Sequence, residues 1–204
     1  MLELMQKGGP VMWPLLACSI IALAIIIERG LFWLLLLKRK NQPLINRIFT
    51  LTEKGDFETA IREGTDSPCL VCRILTNGLA HRNYGLVQSL EAAAMFEIEK
   101  MKRNLSILDT IITAAPLLGI LGTVAGIIVS FDLLGSAGME DPKAVTGGIA
   151  QALITTAAGL SIAIVTLLPY NALTRKVEKV TRHIEQLVTC YEVTVQKGME
   201  KQCG

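Results

Sequence analysis

Residues 108–134 constrain this chain more than any other segment. Asp109 and Asp132 bracket the stretch, and no charged side chain lies between them. The two carboxylates are 23 residues apart (132 − 109), roughly 35 Å along a helix that rises 1.5 Å per residue. An apolar helix of that length matches the hydrocarbon core of a bilayer and its margins. Two further blocks have the same character, 11–37 and 144–169. The chain is 51% hydrophobic with a mean hydropathy of +0.46, and the excess over a soluble domain is gathered in these three blocks. The sequence therefore predicts an all-α membrane protein with three transmembrane helices.

The first block is too long for a signal-peptide core and lacks a small-residue cleavage site, so it reads as an uncleaved anchor. It is free of charge up to Ile27, meets Glu28 and Arg29, and runs on apolar to Leu37. Two charges in mid-bilayer are costly. Glu28 and Arg29 are therefore expected at the inner boundary, with the helix continuing beyond it. Asp109 and Asp132 are the boundary charges of the second span.

Basic residues set the orientation. Residues 38–106 hold eleven Lys and Arg, and 170–204 hold six; residues 1–10 and 135–143 hold one each. The expected layout is a periplasmic N-terminus (1–10), a first span with a cytoplasmic extension (11–37) and a cytoplasmic helical domain (38–107). A second span (108–134), a periplasmic loop (135–143), a third span (144–169) and a cytoplasmic helical tail (170–204) follow. The basic residues thus put the N-terminus and the C-terminus on opposite sides of the membrane.

Within 38–107, Gly and Pro punctuate short amphipathic helices, for example 43–53 and 57–63. From Leu86 the pattern changes. Leu86, Leu90, Ala94, Ile98, Met101, Leu105 and Leu108 recur three and four apart, with no Gly or Pro before Pro116. This spacing predicts one helix running straight into the second span. Val177, Val180, Ile184, Leu187, Tyr191 and Val195 repeat the pattern after the third span. Both spans are thus expected to extend into long cytoplasmic helices.

The functional signal lies inside the spans. Ala115, Gly119, Gly122 and Gly126 share one helical face, and Gly148, Ala152, Gly159 and Ala163 repeat the logic in the third span. Small residues at this spacing let helices approach closely in lipid. Polar but uncharged residues accompany them: Thr123 and Ser130 in the second span, Gln151, Thr155 and Thr156 in the third. A single span hydroxyl often bonds only to its own backbone. A glutamine with several hydroxyls in adjacent spans asks for a partner or for water. Between Asp109 and Asp132, and between Lys143 and Arg175, there is no charged residue. A proton path needs a titratable group or a water chain near mid-membrane. This chain supplies walls without a proton carrier, and too few helices to enclose a pore alone.

Other classes have little support. No nucleophile–base set, metal cluster or phosphate loop points to an enzyme or a cofactor, and no basic run interleaved with aromatics points to nucleic acid. Cys69 and Cys72 have the spacing of a redox or zinc half-site, but with no second pair they read first as two small residues at a helix start. The competing reading is a structural scaffold assembled through the small-residue faces.

The stretch from Leu108-Asp109-Thr110 through Pro116-Leu117-Leu118-Gly119-Ile120-Leu121-Gly122-Thr123-Val124 resembles the core motif of the ExbB/TolQ/MotA proton-channel family. Gly147-Gly148-Ile149-Ala150-Gln151 through Gly159-Leu160 resembles the family's third-span motif, and Gly9-Pro10-Val11-Met12-Trp13-Pro14 with Ile27-Glu28-Arg29 its first span. The resemblance implies a pentamer around a central channel lined by the second and third spans. A dimer of a single-span ExbD-like partner would thread it and bring the proton-carrying Asp, with a TonB-like protein as a further partner. Family pore-lining threonines map onto Thr123 and Thr156. Gln151 stands where ExbB-like members often carry Glu, so a relay role for that Glu does not carry over. Three spans in 204 residues are closer to ExbB-like and TolQ-like members than to four-span MotA-like ones, and the length favours ExbB.

Overall fold

This computed structural model describes residues 8–39, 41–137 and 142–203, without the side chains of 37, 38, 133, 136, 137, 142–145, 202 and 203. The expectations for residues 1–7 and for 138–141 of the 135–143 loop lie outside the described residues. Among the described residues the regular elements are all helical: α1 (Met12–Lys38), α2 (Gln42–Glu53), α3 (Phe57–Thr65), α4 (Leu70–Ala80), α5 (Leu86–Lys102), α6 (Leu105–Ala137) and α7 (Pro142–Cys203), with a 3₁₀ turn at Arg82–Tyr84. Three of these, α1, α6 and α7, contain stretches long and apolar enough to cross a membrane.

The chain divides into two compact units. One joins Met1–Arg29 to Asn104–Leu173, and the other joins Gly30–Arg103 to Thr174–Gly204. In the first unit, the α6 residues Ala115, Gly119, Gly122 and Gly126 are buried against Gly148, Ala152, Thr155 and Gly159 of α7. Large apolar side chains such as Leu117, Leu121, Phe131, Leu153, Val165 and Leu168 point outward, each more than half exposed. That is the inverse of a water-soluble pair and suits lipid or neighbouring helices.

The second unit is built as soluble helices are. Asn41 and Asp56 cap α2 and α3 by accepting the N–H groups of Leu44 and Thr59, and the cap satisfies orphan donors at a helix start. Gly55, at φ 82°, turns the chain between the two helices. The core takes Ile48 from α2, Phe57 from α3, Ile74, Leu75 and Leu79 from α4, Leu90 and Met101 from α5, and Ile184, Tyr191 and Val195 from α7. Tyr191 shares a 2.8 Å hydrogen bond with Thr52 and meets the Phe49 ring edge-on.

One expectation is corrected. The stripe beginning at Leu86 does not run as one helix into the second span. It is interrupted after Lys102, with Asn104 at φ 62°, before α6 starts at Leu105. Asn enters this left-handed region more readily than most residues with a Cβ. The stripe itself also differs by one residue: Glu97, not Ile98, is the buried position. Arg73 and Lys100 neutralise its carboxylate at 2.9 and 3.0 Å, which is what permits a charge there. On the far side of the chain, Pro169 sits inside α7 without ending it.

Candidate functional site

The α6–α7 contact is made of backbone and hydroxyl groups. A Cβ placed on Gly119 would stand 3.0 Å from the Thr156 Cα and 3.1 Å from the Thr155 carbonyl oxygen. One on Gly126 would stand 2.9 Å from Ala152 Cβ, and one on Gly159 would overlap the Ala115 carbonyl. The two helices therefore run antiparallel with their backbones nearly touching where Gly119, Gly126 and Gly159 lie.

Each polar residue takes a definite place around this seam. Thr156 Oγ1 donates across it, from α7 to the Gly119 carbonyl of α6, at 2.8 Å. In an α-helix the same carbonyl accepts the backbone N–H of Thr123, four residues on. Thr123 Oγ1 turns back to the Ile120 carbonyl at 2.6 Å and keeps its side chain at the exposed edge. Thr155 is 1% exposed, bonded to the Ala152 carbonyl and packed on Gly122; Ser130 is 2% exposed, bonded to the Gly126 carbonyl and packed on Gly148. These two hydroxyls are enclosed within the chain, whereas Thr123 and Thr156 stand at the seam's edge. The Gln151 carboxamide lies against Gly9, whose φ of 69° and missing side chain leave it room. Pro116, one turn before Gly119, brings no N–H, so the Ile112 carbonyl lacks the donor four residues on that a helix normally supplies.

Two of the boundary charges, Glu28 and Arg29, meet the start of α6. Arg29 is 3% exposed and paired with Glu28, whose second oxygen accepts Asn104 Nδ2 at 2.9 Å. Glu28 thus holds the residue at which the helix is interrupted. Asp109 and Asp132 are exposed. Sequence reasoning did not find the Asn104–Glu28, Gly9–Gln151 or Thr156–Gly119 contacts. Only the first had a local signal: Lys100 and Lys102 in the last turn of α5, followed by an Asn, is a helix-stop pattern.

Two small-residue helices pressed together around hydroxyls, outwardly apolar and without a charge in their central stretches, define a polytopic membrane protein. Residues 69–186 match the MotA/TolQ/ExbB proton channel family, and the chain belongs to that family. It is 38% identical over 173 residues to the putative biopolymer transport protein ExbB-like 3 of Synechocystis sp., covering 81% of each chain. It is 33% identical over 188 residues to the putative biopolymer transport protein ExbB homolog of Methanothermobacter thermautotrophicus, covering 90% of this chain and 66% of that one. The Tol-Pal system protein TolQ of Haemophilus influenzae is 35% identical over 96 residues, 47% of this chain and 42% of its own.

Proposed function

We propose that this chain is the channel-forming subunit of an ExbB-like motor driven by the proton-motive force. The observation that carries this reading is the seam itself: hydroxyl-bearing, closely packed and free of any charge from 110 to 131 and from 144 to 174. A hydroxyl both donates and accepts, so it can hold water in file without the cost of a buried charge. Thr123 and Thr156 form the channel face, and Gln151, Thr155 and Ser130 form the polar layer behind it. The proton carrier comes from another chain. Several copies, five in the family arrangement, surround a dimer of a single-span ExbD-like partner whose Asp takes and releases the proton. The work is delivered to a TonB-type system at the outer membrane. The basic residues of 38–106 and 170–204 support a cytoplasmic location for those segments and a periplasmic N-terminus in a bacterial inner membrane. Similarity to TolQ supports a second reading, in which the same motor serves envelope integrity.

Proton flux into liposomes, with and without the single-span partner, tests the proposal. Flux should need the partner and fall by about tenfold or more in Thr156→Val, as loss of a polar group poised on a proton path does. Thr123→Val should act in the same direction. Flux indifferent to the partner and to both substitutions would overturn the proposal, and no flux in any condition would leave only a scaffold.

A further inference from the structure

Cys69 and Cys72 are chemistry-bearing residues that the channel reading leaves unused. They sit in the second unit at the head of α4, Cys69 as the residue before the helix and Cys72 in its first turn. Both are free thiols, 3% and 0% exposed. Residues at the cap and three positions on face each other, the pairing a capping side chain uses. In that turn their Cα atoms stand about 5–6 Å apart, inside the window a disulfide requires. Pro68 fixes the approach, and Ser67 Oγ accepts the Cys69 N–H at 3.2 Å.

The two thiols are not equivalent. The Cys72 thiol beside it, opposed by burial and aided by the backbone amides of Cys72, Asn41 and Val71, brings the Cys69 pKa down to about 5. Cys72 is pushed the other way by its bond to Cys69, by burial and by the neighbouring negative charge, with Ser67 opposing. Cys69 alone of the pair lines a cavity of about 110 Å³, shared with Trp33, Arg39, Gln42 and His183. Arg39 and His183 are exposed and offer donors at its rim. With roughly 30 Å³ per water, this space admits a few water-sized molecules beside Cys69.

We propose that Cys69 and Cys72 form a peroxide-reactive dithiol, with Cys69 the attacking thiolate and Cys72 the resolving thiol. The Cys69 sulfur attacks one oxygen of hydrogen peroxide. The O–O bond breaks, and the leaving hydroxide takes a proton to become water. Cys69 is then a sulfenic acid. The Cys72 sulfur attacks the Cys69 sulfur, the S–O bond breaks, and the departing hydroxyl leaves with the Cys72 proton as a second water. Two thiols have given two electrons to one peroxide, and a disulfide spans the first turn of α4. A dithiol reductant reopens it. Oxidation of this kind follows thiolate character and a nearby resolving cysteine.

The experiment uses the full-length protein in detergent, hydrogen peroxide, alkylation of the remaining thiols and peptide mass measurement. The peptide carrying both cysteines should lose two hydrogens, regain them with dithiothreitol, and react roughly tenfold faster than the exposed Cys190. In Cys72→Ser, dimedone should mark Cys69; in Cys69→Ser, it should leave Cys72 unmarked. Continued alkylation of both cysteines, oxidation no faster than at Cys190, or dimedone on Cys72 would overturn the assignment. The wild-type rate comparison stands even if a variant fails to fold.

Discussion

Helix α7 is packed in two different ways along its own length. In the first unit its buried positions are mostly small or hydroxyl-bearing, Ala152, Thr155, Gly159, Ala163 and Thr166, with Leu173 at the end; in the second they are mostly large, Val177, Ile184, Tyr191 and Val195, with Gly198 at the end. Gaps of three, four and seven keep all of them on one helical face. What changes is the solvent. In lipid an apolar side chain gains nothing by leaving the surroundings, so helices associate by backbone approach and hydrogen bonds, which favours glycine and hydroxyls. In water, burying a large side chain is itself the driving force, so the same seam fills with Tyr, Ile and Val. One helical period thus serves two kinds of cohesion.

Substitutions break that comparison in opposite senses. Tyr191→Ala should have the largest effect, costing the second unit about 3–5 kcal/mol through the cavity left behind. Alkylation of the buried Cys72 in rising denaturant would read the loss. Enlargement, not truncation, should harm the membrane seam. Gly159→Ala puts a Cβ onto the Ala115 carbonyl and should cost about 1–3 kcal/mol as overpacking, seen as earlier thermal loss of the detergent-solubilised protein. A seam that tolerates alanine at 159 would mean that the helices are not held by backbone contact.

Tyr191→Phe sharpens the contrast with the smallest change, leaving the buried Thr52 hydroxyl without its partner at a cost of about 1–3 kcal/mol. It also carries a pH signature. Burial, partly offset by Thr52, pushes the Tyr191 pKa up to about 12 from 10. Between those values the folded state holds a proton that the unfolded state has lost. Stability is therefore level below pH 10 and falls as pH rises toward 12. The phenylalanine variant should lose this tyrosine's share of that alkaline slope in denaturant titrations.

The spans were plain in the sequence because a charge-free apolar run of that length suits little except a bilayer, and the small-residue faces followed from spacing alone. The helix interruption was masked despite its local stop signal. Met101, Leu105 and Leu108 keep the apolar period through it, and the residue that anchors Asn104 is Glu28, 76 positions away. Burial of Glu97 was hidden for the same reason, since its partner Arg73 lies on another helix. Gln151 and Thr155, four residues apart, lie on one helical face. The sequence could not tell that Thr155 turns into Gly122 while Gln151 meets Gly9, because facing a neighbour is a property of two helices.

The Gly119 carbonyl has a consequence beyond packing. Taking both the Thr156 hydroxyl and an N–H of its own helix, it is more polarised than a singly bonded helical carbonyl, and its stretching frequency is lowered accordingly. A heavy-isotope carbonyl at this one position would separate its band from the rest of the helix. That band would then serve as an optical gauge of the Thr156 hydroxyl, moving each time the hydroxyl leaves the backbone for water.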